Sequence, residues 1–474
     1  MKYYPLTPIV HEWIRKLLRD RDILDRLLVQ YGSPVNIHNR QPFYDNVDMY
    51  ASVLEDLALR YKIFFARKSN KCLGLIDGTD SENYGVDTAS LNELTQSLRI
   101  GVEADNMVST AAVKTDDLIE TCIENNVCMI VDNVDEMDTI VSLAKLMDRK
   151  AKVGLRISGY PPQLGIEESR FGMHCDNILE IAKTYCIGQQ SHLQYEGLHF
   201  HLNGYDLDQR SSALLQCIKI SDQLSQLGLQ TQFIDIGGGL LMNYLQDKEE
   251  WSDFHRALKA AVLGKIEEIT YNNDGLGYIA HNDEIITKAS VYPYYNEVNK
   301  AEALRYVLEK SASGGKRICD LLKDRKIELR IEPGRSLLDQ VGITVGKVIH
   351  VKQSHKGDYL VGLDMNMTQL ASGSRDYLVD PIHLSSDNNS YDEECYGYLT
   401  GGYCLERDII LKRKIKFEGL PSKGDLIIFI NTAGYMMHFF ETRAHQFNLA
   451  KNIFATPDRE NGSFTFKLDE IDAR

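Results

Sequence analysis

From residue 61 to residue 333 the chain repeats one pattern: a short unbroken apolar run, a stretch of helical periodicity, then another apolar run. Unbroken apolar runs are what strands buried on both faces look like, and both faces are buried when crossover helices cover a parallel sheet. KIFFA (62–66) reads as such a strand. GVDTA leads into the helix SLNELTQSLRI, NMVST precedes the helix TDDLIETCIEN with Thr115 as its N-cap, and CMIVD precedes EMDTIVSLAKLMD. KVGLRI follows, then YEGLHFHL after a longer gap, QTQFIDIGGG after the helix SSALLQCIKISDQLSQLG, and finally IELRIEP (327–333). Seven or eight strands over this span predict a (β/α)8 barrel.

After residue 340 the period changes. VGITVGKVIHVKQS, GDYLVGLD, RDIILKRKIKFEG and DLIIFIN alternate with period two between Gly and Asp turns, predicting a second, β-rich domain. Residues 264–302, with TYNNDGLGYIAHND and VYPYYNEV, lack clear periodicity and read as an insertion between two barrel strands. A length of 474 residues suits two or three domains, and 43% hydrophobic with 26% charged residues excludes a disordered chain. The net charge of −15, with no Lys/Arg block, argues against a nucleic-acid or anionic-membrane partner. Charges interrupt every apolar stretch near the start, so neither export signal nor anchor is expected. Nine cysteines without CxxC or regular spacing fit reduced thiols in a cytoplasmic protein.

In a parallel barrel the reactive groups lie at the C-terminal ends of the strands. The polar residues falling there are Lys68, Asp87, Arg156, His199 and His201, the triglycine Gly237, Gly238 and Gly239, and Glu332 with Arg335. Each has a bland reading. A strand-end lysine is usually solvated; a triglycine can be no more than a tight turn, although three residues without Cβ also offer backbone N–H groups to an anion. It lacks the dinucleotide or Walker spacing. His199 and His201 could bind zinc in a barrel hydrolase, yet a stray HxH is more often packing or hydrogen bonding. Arg335 could pair structurally with Glu332.

Taken together and in this order, the motifs resemble those of the fold-type III pyridoxal-phosphate decarboxylases, the family of diaminopimelate, ornithine, lysine and arginine decarboxylases. FFARKSN is similar to the lysine motif and YGVDTASLNEL to the second strand and helix; SRFGM (169–173) is a further marker. HFHL, IDIGGGL and IEPGRSLL are the most specific barrel motifs, GGYCLERD (401–408) is similar to the cysteine motif and NTAGYMMHF (431–439) to the tyrosine motif. The resemblance spans nearly the whole chain and implies an alanine-racemase-like barrel over 46–338. A β-rich domain would be made of 1–45, where PVNIHN is similar to the family's first strand, and 339–474. It also implies a homodimer with shared active sites and an amino-acid substrate.

The resemblance assigns roles. Lys68 would hold pyridoxal 5'-phosphate as an internal aldimine. Gly237, Gly238 and Gly239 with Gly334, Arg335 and Tyr435 would receive its phosphate. His201 would stack on the ring, Arg156 would approach the ring hydroxyl and Asp87 would belong to the lysine's network. Glu332 would keep the ring nitrogen protonated, favouring decarboxylation over racemisation. Cys404, from the partner subunit, would return a proton to Cα. Two departures stand out. HFHLNGY places Asn203 and Gly204 where the family usually has Gly-Ser, removing one phosphate hydroxyl donor. Leu405 follows the cysteine where an acidic residue commonly meets a distal amine, and a leucine cannot pair with an ammonium. Glu406, Arg407 and Asp408 are then the remaining substrate candidates on this loop, and Arg407 would suit a distal carboxylate. A racemase or lyase on the same fold, or a non-catalytic homologue, are the alternative readings.

Overall fold

The computed structural model describes residues 2–77, 83–188, 192–312, 314–373, 377–386, 394–458 and 463–472. The apolar runs between 61 and 333 form eight strands: β1 (Tyr61–Ala66), β2 (Tyr84–Thr88), β3 (Met107–Ser109), β4 (Cys128–Val131), β5 (Ala151–Ser158), β6 (Leu193–His199), β7 (Phe233–Asp235) and β8 (Glu328–Ile331). Each pairs in parallel with the next in sequence. The ring closes where β8 pairs with β1, Leu329 opposite Tyr61 and Ile331 opposite Ile63. This is the expected (β/α)8 barrel.

Phe64, Val108, Cys128, Ile130 and Phe233 pack as one buried cluster. Removing a Phe side chain from water stabilises the fold by about 1.5–3 kcal/mol, which is why apolar residues dominate the centres of these runs. Side-chain caps start several helices: Ser90 Oγ accepts from Glu93 N–H (3.3 Å), and Asp206 Oδ1 accepts from Gln209 N–H (2.8 Å) at the head of helix Leu207–Gln226. Thr115 holds the N-cap position of Asp116–Asn125 as read, but its hydroxyl makes no capping bond; the first-turn acids Asp116 and Asp117 complement that helix end instead. The longer gap before β6 contains the helix Ile178–Cys186.

The chain divides into two units, Tyr44–Leu241 with Val298–Leu337, and Met1–Phe43 with Met242–Glu297 and Leu338–Arg474. The segment read as a barrel insertion therefore begins earlier, at 242, and groups with the β-rich unit. Its reason is hydrophobic: Tyr244, Phe254, Leu258, Leu276 and Tyr294 are buried in one cluster with Val348, Leu363, Leu411 and Phe429. In that unit the long strand Gly342–Gln353 pairs antiparallel with Val35–His38, Tyr359–Leu363 and Leu426–Phe429. Val35–His38 also runs parallel to Lys451–Pro457. Among the described residues, no helix is long and apolar enough to cross a membrane.

Candidate active site

Lys68 sits in the single turn Arg67–Ser69 directly after β1. The buried Arg67 guanidinium fixes that turn by donating to the carbonyls of Glu93 (2.9 Å) and Lys71 (3.1 Å). Lys68 Nζ lies 3.2 Å from Asp87 Oδ2 at the end of β2, and the Thr110 hydroxyl donates to the other Asp87 oxygen. Burial pushes the Asp87 carboxyl up, and the Lys68 ammonium opposes that rise. The amine thus stands part-exposed, beside a buried acid able to take or return a proton.

At the ends of β6, β7 and β8, His199, Asp235 and Glu332 bring their ligand-type atoms within 4.8 Å of one another, all buried. His199 Nε2 is 3.1 Å from Glu332 Oε1. Burial holds the imidazole neutral, so its N–H donates to the carboxylate. Burial raises both carboxyls. The Glu332 charge raises Asp235 further, whereas Lys68 and Arg156 counter the rise at Glu332. Two carboxyls this close disfavour ionising together.

β6 ends at His199, so period-two alternation does not carry on to His201, and the His201 Nδ1 accepts from Gly238 N–H (3.2 Å). That leaves the His201 ring neutral, as its burial also requires. Arg156 at the end of β5 lies 3.5 Å from Asp132 Oδ1 and packs over the Phe171 ring at 4.4 Å. Gly172 N–H donates to the same Asp132 oxygen (2.9 Å), so the SRFGM marker is the segment that clamps Arg156.

The triglycine follows β7. Gly237 N–H donates to Asp235 Oδ1 (2.8 Å), while Gly239 N–H has no acceptor among the described residues. A Cβ on Gly238 would stand 2.5 Å from the Glu332 carbonyl oxygen, so this position admits only glycine if the loop is to stay against β8. We expect Gly238→Ala to cost about 1–3 kcal/mol through overpacking. Read as cofactor dissociation during dialysis, the loss should be about 10- to 100-fold. Gly334 and Arg335, buried and half-buried, follow β8 on the same barrel.

Cys404, Leu405, Glu406, Arg407, Asp408 and Tyr435 belong to the β-rich unit. Cys404 is exposed, whereas the other eight cysteines are buried. Its loop is pinned from inside: Asp408, 3% exposed, accepts from Tyr403 N–H (2.7 Å) and Met367 N–H (2.8 Å). A Cβ on Gly401 would stand 2.3 Å from an Asp408 oxygen, which accounts for glycine in the motif. Asp408, one of the substrate candidates, is thus placed as the anchor of the loop, and Leu405, Glu406 and Arg407 are its exposed members. Tyr435 adopts φ 70°, a left-handed backbone uncommon outside glycine, of a kind that clusters at functional sites.

Asp235, Thr110, Asp132 and Arg210 were not singled out from the sequence. Asp235 had a visible signal, an acid inside the apolar run FIDI. The barrel rim fits a phosphorylated pyridine aldehyde: an amine for the aldehyde, a buried carboxylate for a protonated ring nitrogen, and a glycine cradle with a free N–H for the phosphate.

Comparison with known proteins agrees. The family described as "Pyridoxal-dependent decarboxylase, pyridoxal binding domain" matches residues 45–276. An uncharacterised protein of Sinorhizobium fredii, y4yA, is 27% identical over 440 residues, covering 91% of this chain and 89% of that protein. The diaminopimelate decarboxylase of Staphylococcus aureus is 22% identical over 431 residues, covering 89% of this chain and 88% of that one. The crystal structure of diaminopimelate decarboxylase from M. jannaschii in co-complex with L-lysine superposes with a TM-score of 0.70 at 18% identity, covering 94% of this chain and 90% of that chain. With its barrel, its rim chemistry and its family match in agreement, the chain belongs over residues 45–276 to the pyridoxal-dependent decarboxylases, in a divergent branch.

Proposed function

We propose that the chain removes the α-carboxyl group of an amino acid as carbon dioxide. The observation that carries this reading is the buried Glu332 carboxylate, held by His199 on the same barrel as Lys68. Pyridoxal phosphate, when bound, supplies an electron sink for the pair left by the departing carboxyl group. Glu332 holds negative charge where a ring nitrogen must stay protonated. Lys68 supplies the amine that links to the aldehyde, and Asp87 keeps a proton within its reach. His201, neutral, offers a flat face, and the Gly237–Gly239 loop receives the phosphate with Gly334 and Arg335.

In this reading Cys404 of a partner subunit protonates Cα, so the working form is a homodimer. Leu405 at the position after it disfavours a substrate with a terminal ammonium. The exposed Arg407 favours a second carboxylate. A panel of amino acids, each scored for carbon dioxide and amine release by cofactor-loaded protein in deuterated water, tests this. Release of carbon dioxide with one deuteron at Cα is expected; Cα exchange without carbon dioxide would make the protein a racemase. Cys404→Ala should slow amine formation by about 10²–10⁴-fold, the usual contribution of a positioned acid.

A further inference from the structure

Arg210 is a buried charge of the barrel that neither the motifs nor the proposed chemistry uses. It lies in the first turn of helix Leu207–Gln226 and is 0% exposed. A cation there opposes the helix dipole, which favours negative charge at this end. Among the described residues no carboxylate pairs with it, and Arg210 Nε has no hydrogen-bond partner. Its Nη1 donates to the Ile236 carbonyl (2.8 Å) and its Nη2 to the Gly239 carbonyl (3.5 Å). These two carbonyls flank the triglycine, so the guanidinium holds both ends of the loop. Gly239 has room for it only because it lacks a Cβ, which would stand 2.8 Å from Arg210 Nη2.

Buried charges are retained when an opposite charge compensates them. The compensating anion here is not a side chain. The groups around Arg210 are uncharged: Tyr50 donates its hydroxyl to Ser336 Oγ (2.9 Å), burial raises the Tyr160 phenol, and the His201 ring is neutral. The nearest feature built for an anion is the glycine loop itself. The chain also carries Asn203 and Gly204 in place of the hydroxyl donor expected there.

We propose that Arg210 is the buried counter-charge of the cofactor's phosphate, acting from behind the glycine loop and replacing the missing hydroxyl. It is a positioning residue: it orients the loop by its carbonyls and biases the site toward a dianion. The inference rests on the cofactor assignment above. Cofactor-stripped parent, Arg210→Gln and Arg210→Lys proteins should be titrated with pyridoxal phosphate and with pyridoxal, following the visible absorbance of the bound aldehyde. Arg210→Gln should weaken pyridoxal phosphate about 10- to 100-fold, the scale of a lost hydrogen bond to a charged group, and pyridoxal less than about twofold. Phosphorus NMR of the bound cofactor should show the phosphate remaining dianionic to lower pH in the parent and in Arg210→Lys than in Arg210→Gln.

An equal loss for both aldehydes, no loss for either, or identical phosphorus titrations would overturn the proposal. If Arg210→Gln does not fold, Arg210→Lys decides: a smaller loss, confined to the phosphorylated aldehyde, supports the role, and none refutes it. A parent protein that binds neither aldehyde would instead bring down the cofactor assignment.

Discussion

Lys68→Ala should bind pyridoxal phosphate without a covalent link and should lose turnover by about 10³-fold or more, since a positioned proton-transfer group alone contributes 10²–10⁴ and this lysine is also the attachment point. Borohydride reduction followed by mass spectrometry reads the link: the parent should gain one cofactor mass on the peptide containing residue 68, and the variant none. The barrel should be unharmed. Lys68 follows β1 rather than lying within it, its turn is fixed by Arg67, and its side chain is 32% exposed. Removing it leaves Asp87 buried without its cation, so the carboxyl should titrate still higher. A variant that turned over at the parental rate would remove Lys68 from the mechanism.

Glu332→Gln should retain the covalent cofactor yet lose about 10²–10³-fold in turnover, the usual effect of deleting one preorganised electrostatic contact. Gln matches Glu in shape and cannot hold a negative charge, so the loss isolates the carboxylate. Stability should move the other way. The folded carboxyl is raised above its ordinary value near 4.3, so the native protein binds more protons than the unfolded chain once the pH exceeds that value. The penalty grows as pH rises to the folded value and is constant beyond. The cofactor-free variant should therefore gain on the parent as pH rises from about 4 toward 8, measured by urea unfolding at several pH values. A fall in relative stability over that window would contradict a charged, buried Glu332.

The barrel was legible because strands buried on both faces cannot hide their composition: KIFFA, CMIVD and KVGLRI are apolar apart from Lys62, Lys152 and the strand-end residues Asp132 and Arg156. The rim was legible for a related reason, since polarity resumes where each strand leaves the core, at Lys68, Asp87 and Glu332. The boundary at 242 was not. Leu276 and Tyr294 are fully buried, but they lie in an aperiodic stretch, and local pattern does not reveal which core an aromatic joins. Asp235 escaped because the strand end was placed at the triglycine beyond Ile236, whereas β7 stops at Asp235 itself, and Arg210 because an arginine on a helix normally reads as a solvated face. Asp408 read as a possible substrate contact because its two backbone donors, Tyr403 and Met367, come from different parts of the chain.

The three-segment make-up of the β-rich unit has a consequence during synthesis. Asn36 accepts from Thr344, a partner 308 positions downstream. At roughly 5–20 residues per second, about 15 to 60 s pass on the ribosome between the emergence of the two. Throughout that interval the edge of Val35–His38 has no native strand to join, a state prone to mispairing with other nascent copies. Slow growth temperature or an abundant holdase should raise the soluble yield more for this chain than for one whose two units follow each other end to end.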